Sequence, residues 1–186
     1  MRIISGEARG RRLFAPSGEE TRPTADKVRE SLFNIMGARV YDASVLDLFG
    51  GTGAMALEAL SRGAAHAVIV DCAREAIQAI ERNAQNVLKE ELPERVRILR
   101  ADYRAAIDSL AGMKFDLVFL DPPYRMTDAY GDALLRLKAR GALGEDCLIV
   151  AERLREKPVP IPEGFVSYDT RNYGATSVEL IREAAE

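Results

Sequence analysis

Val45-Leu46-Asp47-Leu48-Phe49-Gly50-Gly51-Thr52-Gly53 decides the fold. Val45–Phe49 is an apolar run broken by one acid and reads as a buried strand. A glycine-rich turn follows at 50–53. Ala54–Arg62 then has helical spacing and is stopped by Gly63. Glycines in such a turn let the backbone bend sharply and let a ligand touch main chain. From Gly51 the row Gly-Thr-Gly-Ala-Met-Ala fits G-x-G-x-x-G/A, and Asp71 stands 20 residues on, where that fingerprint places an acid for ribose hydroxyls. Strand, turn, helix and distant acid together read as the opening of a nucleoside-cofactor unit.

Outward from this turn the rhythm is regular. Ala67–Val70, Val96–Leu99, Phe115–Leu120 and Asp146–Glu152 read as strands. Helical patterns at 74–88, 103–110 and 129–140 alternate with them, and Ile77, Ile80, Ala84 and Leu88 share one stripe. Near-continuous apolar strands alternating with helices predict an α/β fold of Rossmann-like type, with a mostly parallel sheet covered on both faces. The tail breaks the pattern. Phe165–Thr170 and Ser177–Ile181 have no helix between them, so they form an antiparallel C-terminal hairpin at the sheet edge, joined through Arg171-Asn-Tyr-Gly-Ala-Thr176.

In an open parallel sheet, ligands sit beyond the carboxyl ends of the strands. The strand ends here are Phe49–Gly53, Asp71, Asp102 and Asp121–Tyr124. The first three suit an adenosine-bearing cofactor. Phe49, Gly50, Gly51, Thr52 and Gly53 form the turn, and Asp71 takes the ribose. Cys72 offers main-chain contact or packing rather than a nucleophile, and Asp102 with Tyr103 reaches the adenine edge. The turn alone does not separate a nicotinamide cofactor from S-adenosylmethionine (SAM). Two features lean toward SAM. Asp47 is a carboxylate in an apolar strand, costly unless paired, and the ammonium group of SAM would pair it. Its other reading is a cap on amides of the glycine turn. Second, nearly the whole chain is one sheet, leaving no second domain for a dehydrogenase substrate.

Asp121-Pro122-Pro123-Tyr124 ends the Phe115–Leu120 strand. Prolines stop a strand ladder, but stopping needs neither the acid nor the ring. An exocyclic base amine is a poor nucleophile because its lone pair is delocalised into the ring. Two acceptors, the Asp121 carboxylate and the Pro122 carbonyl, would turn that lone pair toward a methyl donor. The prolines hold φ near −65° and keep the loop stiff. Tyr124 would stack on the base. As a plain strand-ending turn, the same residues would cap, stop and pack. By residue chemistry alone the loop fits guanine, adenine or cytosine amines equally.

The chain has 186 residues, 47% hydrophobic and 30% charged, with a net charge of −3. That suits one soluble domain. No apolar stretch approaches the ~20 residues that span a bilayer, and no signal-peptide pattern opens the chain, so a cytoplasmic location is expected. Two cysteines and one histidine exclude a disulfide framework and offer no zinc-ligand spacing; no metal is expected. Residues 1–39 hold eight Arg or Lys against five acids, a net +3 that leaves −6 on the rest. A basic arm on an acidic body suggests a local anionic partner, or else a solvated arm. Residues 5–24 read as an extended arm or hairpin, followed by a helix from Thr24 to Met36. Candidate contacts to a nucleic acid are Arg9, Arg11, Arg12 and Arg22 on the arm, then Lys27 and Arg29 on the helix. Arg171 and Tyr173 in the hairpin loop would add a phosphate contact and a stacking surface. The expected organisation is an extension over residues 1–40 and a methyltransferase domain over 41–186.

VLDLFGGTG, Asp71, Asp102 and DPPY together resemble SAM-dependent amino-methyltransferases of nucleic acids. IISGEARGRRL, RPTADKVRESLFNIM, LDLFGGTGAMALEALSRGA and RNYGATSVELI are similar to the bacterial family that methylates a guanine N2 of 16S ribosomal RNA. The resemblance covers nearly the whole chain in the expected order. It implies guanine as target, 16S rRNA within a small-subunit assembly particle as partner, SAM as methyl donor, and Thr24 near the cofactor. A monomer is the expected state. A DNA adenine-N6 methyltransferase and a nicotinamide-dependent reductase remain the alternatives.

Overall fold

The computed structural model describes residues 1–15 and 23–185, with side chains in the first helix from Asp26 onward. The described strands are β1 Ser44–Asp47, β2 His66–Asp71, β3 Val96–Arg100, β4 Phe115–Leu120, β5 Leu143–Leu154, β6 Phe165–Tyr173 and β7 Thr176–Glu183. They form one sheet in the order β3-β2-β1-β4-β5-β7-β6. The first five in that order are parallel, and β7 pairs antiparallel with both β5 and β6. The expected α/β architecture with a C-terminal antiparallel hairpin is therefore the observed one. The chain moves outward from β1 through β2 to β3, then returns to lay β4 on the other side of β1. That reversal opens a crevice at the carboxyl ends of β1 and β4.

The helices are α1 Pro23–Met36, α2 Ala54–Ser61, α3 Arg74–Leu88, α4 Leu92–Arg95, α5 Tyr103–Ser109 and α6 Ala129–Ala139. On one face Phe33 of α1, Leu57 and Leu60 of α2, and Ile80 of α3 pack against Val45, Ile69, Leu117 and Val150. On the other, Ile107 of α5 and Leu134 and Leu137 of α6 meet Leu46, Val68, Val118 and Ile149. Each fully buried side chain of this kind contributes about 1.5–3 kcal/mol. Both faces of the sheet are thus sealed, and the ligand region is left to the strand ends.

Most element ends shift by a residue from the sequence expectation, and the shifts at β1, β5 and the hairpin matter to the site. β1 stops at Asp47, because Leu48 and Phe49 already turn out toward the glycines. β5 is longer at both ends than 146–152. The hairpin strands also run further, so only Gly174 and Ala175 form the turn. Arg171 and Tyr173 consequently lie on β6, not in a connecting loop.

Residues 1–13 fold back on themselves: the Ile3 amide donates to the Arg11 carbonyl at 2.9 Å, and the Leu13 amide to the Met1 carbonyl at 3.0 Å. Ile3 and Leu13 are buried in the same core as α2 and α3. Polar anchors on α2 complete the docking. Glu58 accepts the amides of Ile4 (2.8 Å) and Ser5 (3.0 Å), and the Ser61 hydroxyl accepts that of Ala8 (3.0 Å). Among the described residues, no helix is long and apolar enough to cross a membrane.

Candidate active site

The glycine turn is fixed by close approach to β2. The Gly50 amide donates to the Val70 carbonyl at 2.8 Å, and a Cβ at Gly50 would fall 2.5 Å from the Ile69 side chain. Gly53 opens α2 with φ of +77°, and its amide closes the turn onto the Gly50 carbonyl at 2.7 Å. Asp71, at the end of β2, accepts the Gly51 and Ala73 amides at 2.9 Å each. One carboxylate thereby ties the turn to the start of α3.

Phe49, Gly51, Asp71, Cys72, Asp102, Tyr103 and all of Asp121–Tyr124 line one cleft of about 420 Å³, completed by Leu48, Ala101 and Met126. Gly50, Thr52 and Gly53 lie in the turn behind it. Thr52 is buried, and its carbonyl accepts the Asn83 side chain at 2.9 Å. Asp102 caps α5 through the Arg104 amide (3.0 Å). The Tyr103 hydroxyl is not free for a ligand edge: it donates to Asp132 at 2.7 Å. Burial and that bond push it up to about 12. Its ring, 5.4 Å from that of Phe49, supplies an apolar wall instead. The side chain of Thr24 lies outside the described residues.

Asp47 is buried beneath the turn. Burial pushes its carboxyl up to about 7; the Phe49 and Ala56 amides pull the other way, and the neighbouring charge of Asp71 adds to the rise. Amides therefore face Asp47, as the capping reading requires, yet they do not offset its burial. Asp121 is exposed and opens on the cleft. Burial first, then the charges of Glu152 and Asp47, hold its carboxyl well above the usual range. No hydrogen bond from another described residue reaches the Asp121 carboxylate. Pro122 is buried, Pro123 and Tyr124 are exposed, and the Pro123 carbonyl accepts the Met126 amide at 2.7 Å, which tightens the loop into α6.

Sequence reasoning does not single out Glu152. In the sequence it closes the apolar run Cys147–Ala151 with an acid, as Asp71 and Asp121 follow theirs, and the same signal would have found it. Its carboxyl is also raised by burial.

The expected anionic-partner residues separate into two groups. Arg9, Arg12 and Lys27 are exposed, and Arg9 and Lys27 line a groove of about 400 Å³ between the arm and α1, together with Arg2. Arg171 is exposed and forked onto Asp169 (2.7 and 2.9 Å). Arg11 is partly drawn onto the carbonyls at the end of α3, Asn86 and Val87. Arg29 is corrected: it is 4% exposed, held by Asp26 at 3.1 Å and Glu58 at 3.6 Å, and serves the fold. Tyr173 is corrected likewise, since its ring packs on the core and its hydroxyl bonds Ser31 at 2.8 Å. Arg22 lies outside the described residues.

The cleft wall carries Asp71, Asp102 and Asp121 but, among the described residues, no lysine or arginine. A pyrophosphate would meet these acids at a turn whose Gly51 amide Asp71 already occupies, so a nicotinamide dinucleotide does not fit. A cofactor carrying both an ammonium and a sulfonium does. A sheet of this order with this glycine turn and acidic strand ends defines a SAM-dependent methyltransferase.

The family described as "Conserved hypothetical protein 95" matches residues 1–182. The chain belongs to that family, a 16S rRNA methyltransferase family. A Bacillus subtilis relative named "Putative rRNA methyltransferase YlbH" is 40% identical, over 98% of this chain and 99% of its own length. "Ribosomal RNA small subunit methyltransferase D" of Escherichia coli is 33% identical, over 100% of this chain and 91% of its own. The solved structure named "Putative methyltransferase yhhF from Escherichia coli" superposes with a TM-score of 0.86 at 30% identity, covering 100% of this chain and 99% of that one. The protein is a SAM-dependent methyltransferase of small-subunit ribosomal RNA.

Proposed function

We propose that this protein methylates the exocyclic N2 amine of one specific guanine in 16S rRNA. The observation that carries the reading is the shared cleft: Asp121 and Tyr124 open on the same space as the glycine turn, Asp71 and Asp102. SAM, when bound there, supplies a methyl group activated by its sulfonium. Asp71 would hold the ribose hydroxyls and Asp102 the adenine edge, with Phe49 and Tyr103 beside the ring. Gly50–Gly53 and Cys72 would contribute main chain, and Asp47 would meet the ammonium.

The Asp121 carboxylate accepts one N–H of the amine and the Pro122 carbonyl the other, which aims the nitrogen lone pair at the methyl. Positive charge that develops on the nitrogen is stabilised by the same carboxylate. The proton leaves afterwards to water. Tyr124, 52% exposed, presents its outer face for stacking on the extruded base, an interaction of about 1–3 kcal/mol. Arg9, Arg12 and Lys27, with Arg171 at the sheet edge, contact phosphates. The flanking sequence rows support guanine, and the name of the Escherichia coli relative supports the small subunit. Residues 1–40 act as the RNA-binding extension of a 41–186 catalytic domain. The substrate is an assembly particle, and the protein works as a monomer without a metal. Among the described residues no cluster of three metal-ligating side chains occurs.

Incubation with labelled SAM and hypomethylated small subunits, followed by mass mapping of the RNA, tests the reading. One N2-methylguanosine in 16S rRNA is expected. Label on another base, or on duplex DNA in preference to RNA, overturns it.

A further inference from the structure

The DPPY loop explains how an amine is held, but one acid and one carbonyl hold the amine of any base. Discrimination needs a second group beside Asp121. Leu120 pairs with Ala151 across the parallel β4–β5 ladder, so Asp121 and Glu152 follow as the next residues in step. Their faces agree as well. Leu117, Phe119, Leu148 and Val150 belong to the core under α1 and α2, whereas Leu120 and Ala151 belong to the opposite one. Carried one residue past the end of β4, the alternation puts Asp121 on the α1 side with Glu152. Adjacent strands stand about 4.8 Å apart, so the two acids are direct neighbours, and the charge of Glu152 is felt by Asp121. No described residue donates a hydrogen bond to either carboxylate. Two acceptors thus stand side by side, waiting for donors.

Only one amino base brings adjacent donors. Guanine presents N1–H next to N2–H₂. Adenine presents its amine next to the N1 lone pair, and cytosine next to the N3 lone pair. An acceptor pair therefore welcomes guanine, and the other two would set a lone pair against a carboxylate.

We propose that Glu152 is the specificity residue of this enzyme: its carboxylate accepts N1–H of the target guanine while Asp121 accepts N2–H. The assignment rests on the guanine-N2 reading above and deepens it. Glu152 also continues a row across the sheet. It pairs with Val178, which pairs with Arg171 on the edge strand. Arg171 is thereby in register with Glu152.

The test uses small-subunit RNA with 2,6-diaminopurine in place of the mapped target guanine. This base keeps the N2 amine but carries a lone pair at N1. Wild-type enzyme is expected to prefer guanine by roughly ten- to a hundredfold in kcat/KM, the value of a charged hydrogen bond. Glu152→Gln, whose amide can donate to N1, is expected to lose most of that preference while its SAM affinity stays within about twofold. Equal wild-type rates on the two substrates overturn the proposal with no variant needed. An unchanged preference in Glu152→Gln overturns it too. Mapping of the wild-type product separates the two layers: N2-methylguanosine with no discrimination sinks Glu152 alone, whereas methylation of a different base sinks the guanine reading first.

Discussion

The molecule carries two kinds of perturbed or enclosed acid. Glu58, fully buried on α2, is closed by Arg62 at 2.7 Å, Arg29 at 3.6 Å and two main-chain amides. Glu179 on β7 is closed by Arg153 at 2.6 Å, with Thr170 and Ser167 on its other oxygen. Burial opposes ionisation of Glu179, but the bonds from Ser167, Thr170 and Arg153 outweigh it and hold the carboxyl below its usual range. Asp47, Asp121 and Glu152 form no ion pair among the described residues, and each is pushed upward. For Asp47, which is buried, an unpaired charge is costly; perturbed acids at a cleft, exposed Asp121 and half-buried Glu152 among them, mark functional sites. The fold builds a counter-ion where the acid serves architecture, and leaves it out where a ligand brings the donors.

The comparison breaks if the two kinds respond alike to mutation. Glu58→Ala strands Arg29 and Arg62 and frees the amides of Ile4 and Ser5. Losing one partner of a buried pair costs about 3–5 kcal/mol, and urea unfolding should show a loss of that size, with faster hydrogen exchange in residues 3–13. Asp121→Asn should do the reverse. Turnover should fall about 10²–10³-fold, as when a group that stabilises transition-state charge is removed. SAM affinity should stay within a few-fold and the melting temperature should not drop. A variant that melts early yet keeps its rate would place Asp121 among the architectural acids.

Asp47 sharpens the contrast through pH. Its carboxyl is higher in the folded protein than its ordinary 3.8, so the folded state holds that proton more tightly. Stability without cofactor should therefore fall as pH rises from about 4 to 7 and level off above. The penalty above pH 7 is at most about 4 kcal/mol. Asp47→Asn should remove its share of this dependence, leaving that of Asp121 and Glu152, and raise the melting temperature at pH 8. SAM binding should run the other way. The ammonium needs the ionised carboxylate, so affinity should weaken as pH drops below 7, by up to about tenfold per pH unit. Calorimetry at pH 6 and 8 checks both signs, and a pH-independent affinity would leave Asp47 as a cap alone.

The acids of the cleft are legible in the sequence because they break a strong pattern. Asp47, Asp71 and Asp121 interrupt or end apolar strands, and strand ends in a parallel sheet converge. The architectural polar groups are not legible. Asn83 sits on an amphipathic helix, where a polar residue is the ordinary case, and Glu58 is a single acid on the otherwise apolar α2, whose partners come from distant segments. Nothing local says that Asn83 will bridge the Phe14 main chain to the Thr52 carbonyl. The same limit misplaces Arg29: a cation at helical spacing looks free until Glu58 arrives from another helix. Tyr173 is misread because the two-residue turn carries it onto β6, where register and not loop freedom decides what it touches.

The cations divide as the acids do, and this gives the smallest effect expected. Arg29 is consumed by Asp26 and Glu58, whereas Arg9 and Arg12 are exposed and make no ion pair among the described residues. Arg11 is best left intact, since its partners at the end of α3 would confuse the outcome. Replacing Arg9 and Arg12 by Ala should leave the melting temperature unchanged, because neither side chain holds part of the fold. Binding to small-subunit RNA should weaken. The decisive quantity is its salt dependence. Removing one cation from one phosphate should lower the slope of log K against log salt by about 0.7–0.9, so the double variant should show a slope shallower by about 1.4–1.8. A weaker affinity with the slope unchanged would mean that the arm only shapes the surface, and that Lys27 and Arg171 hold the phosphates without it.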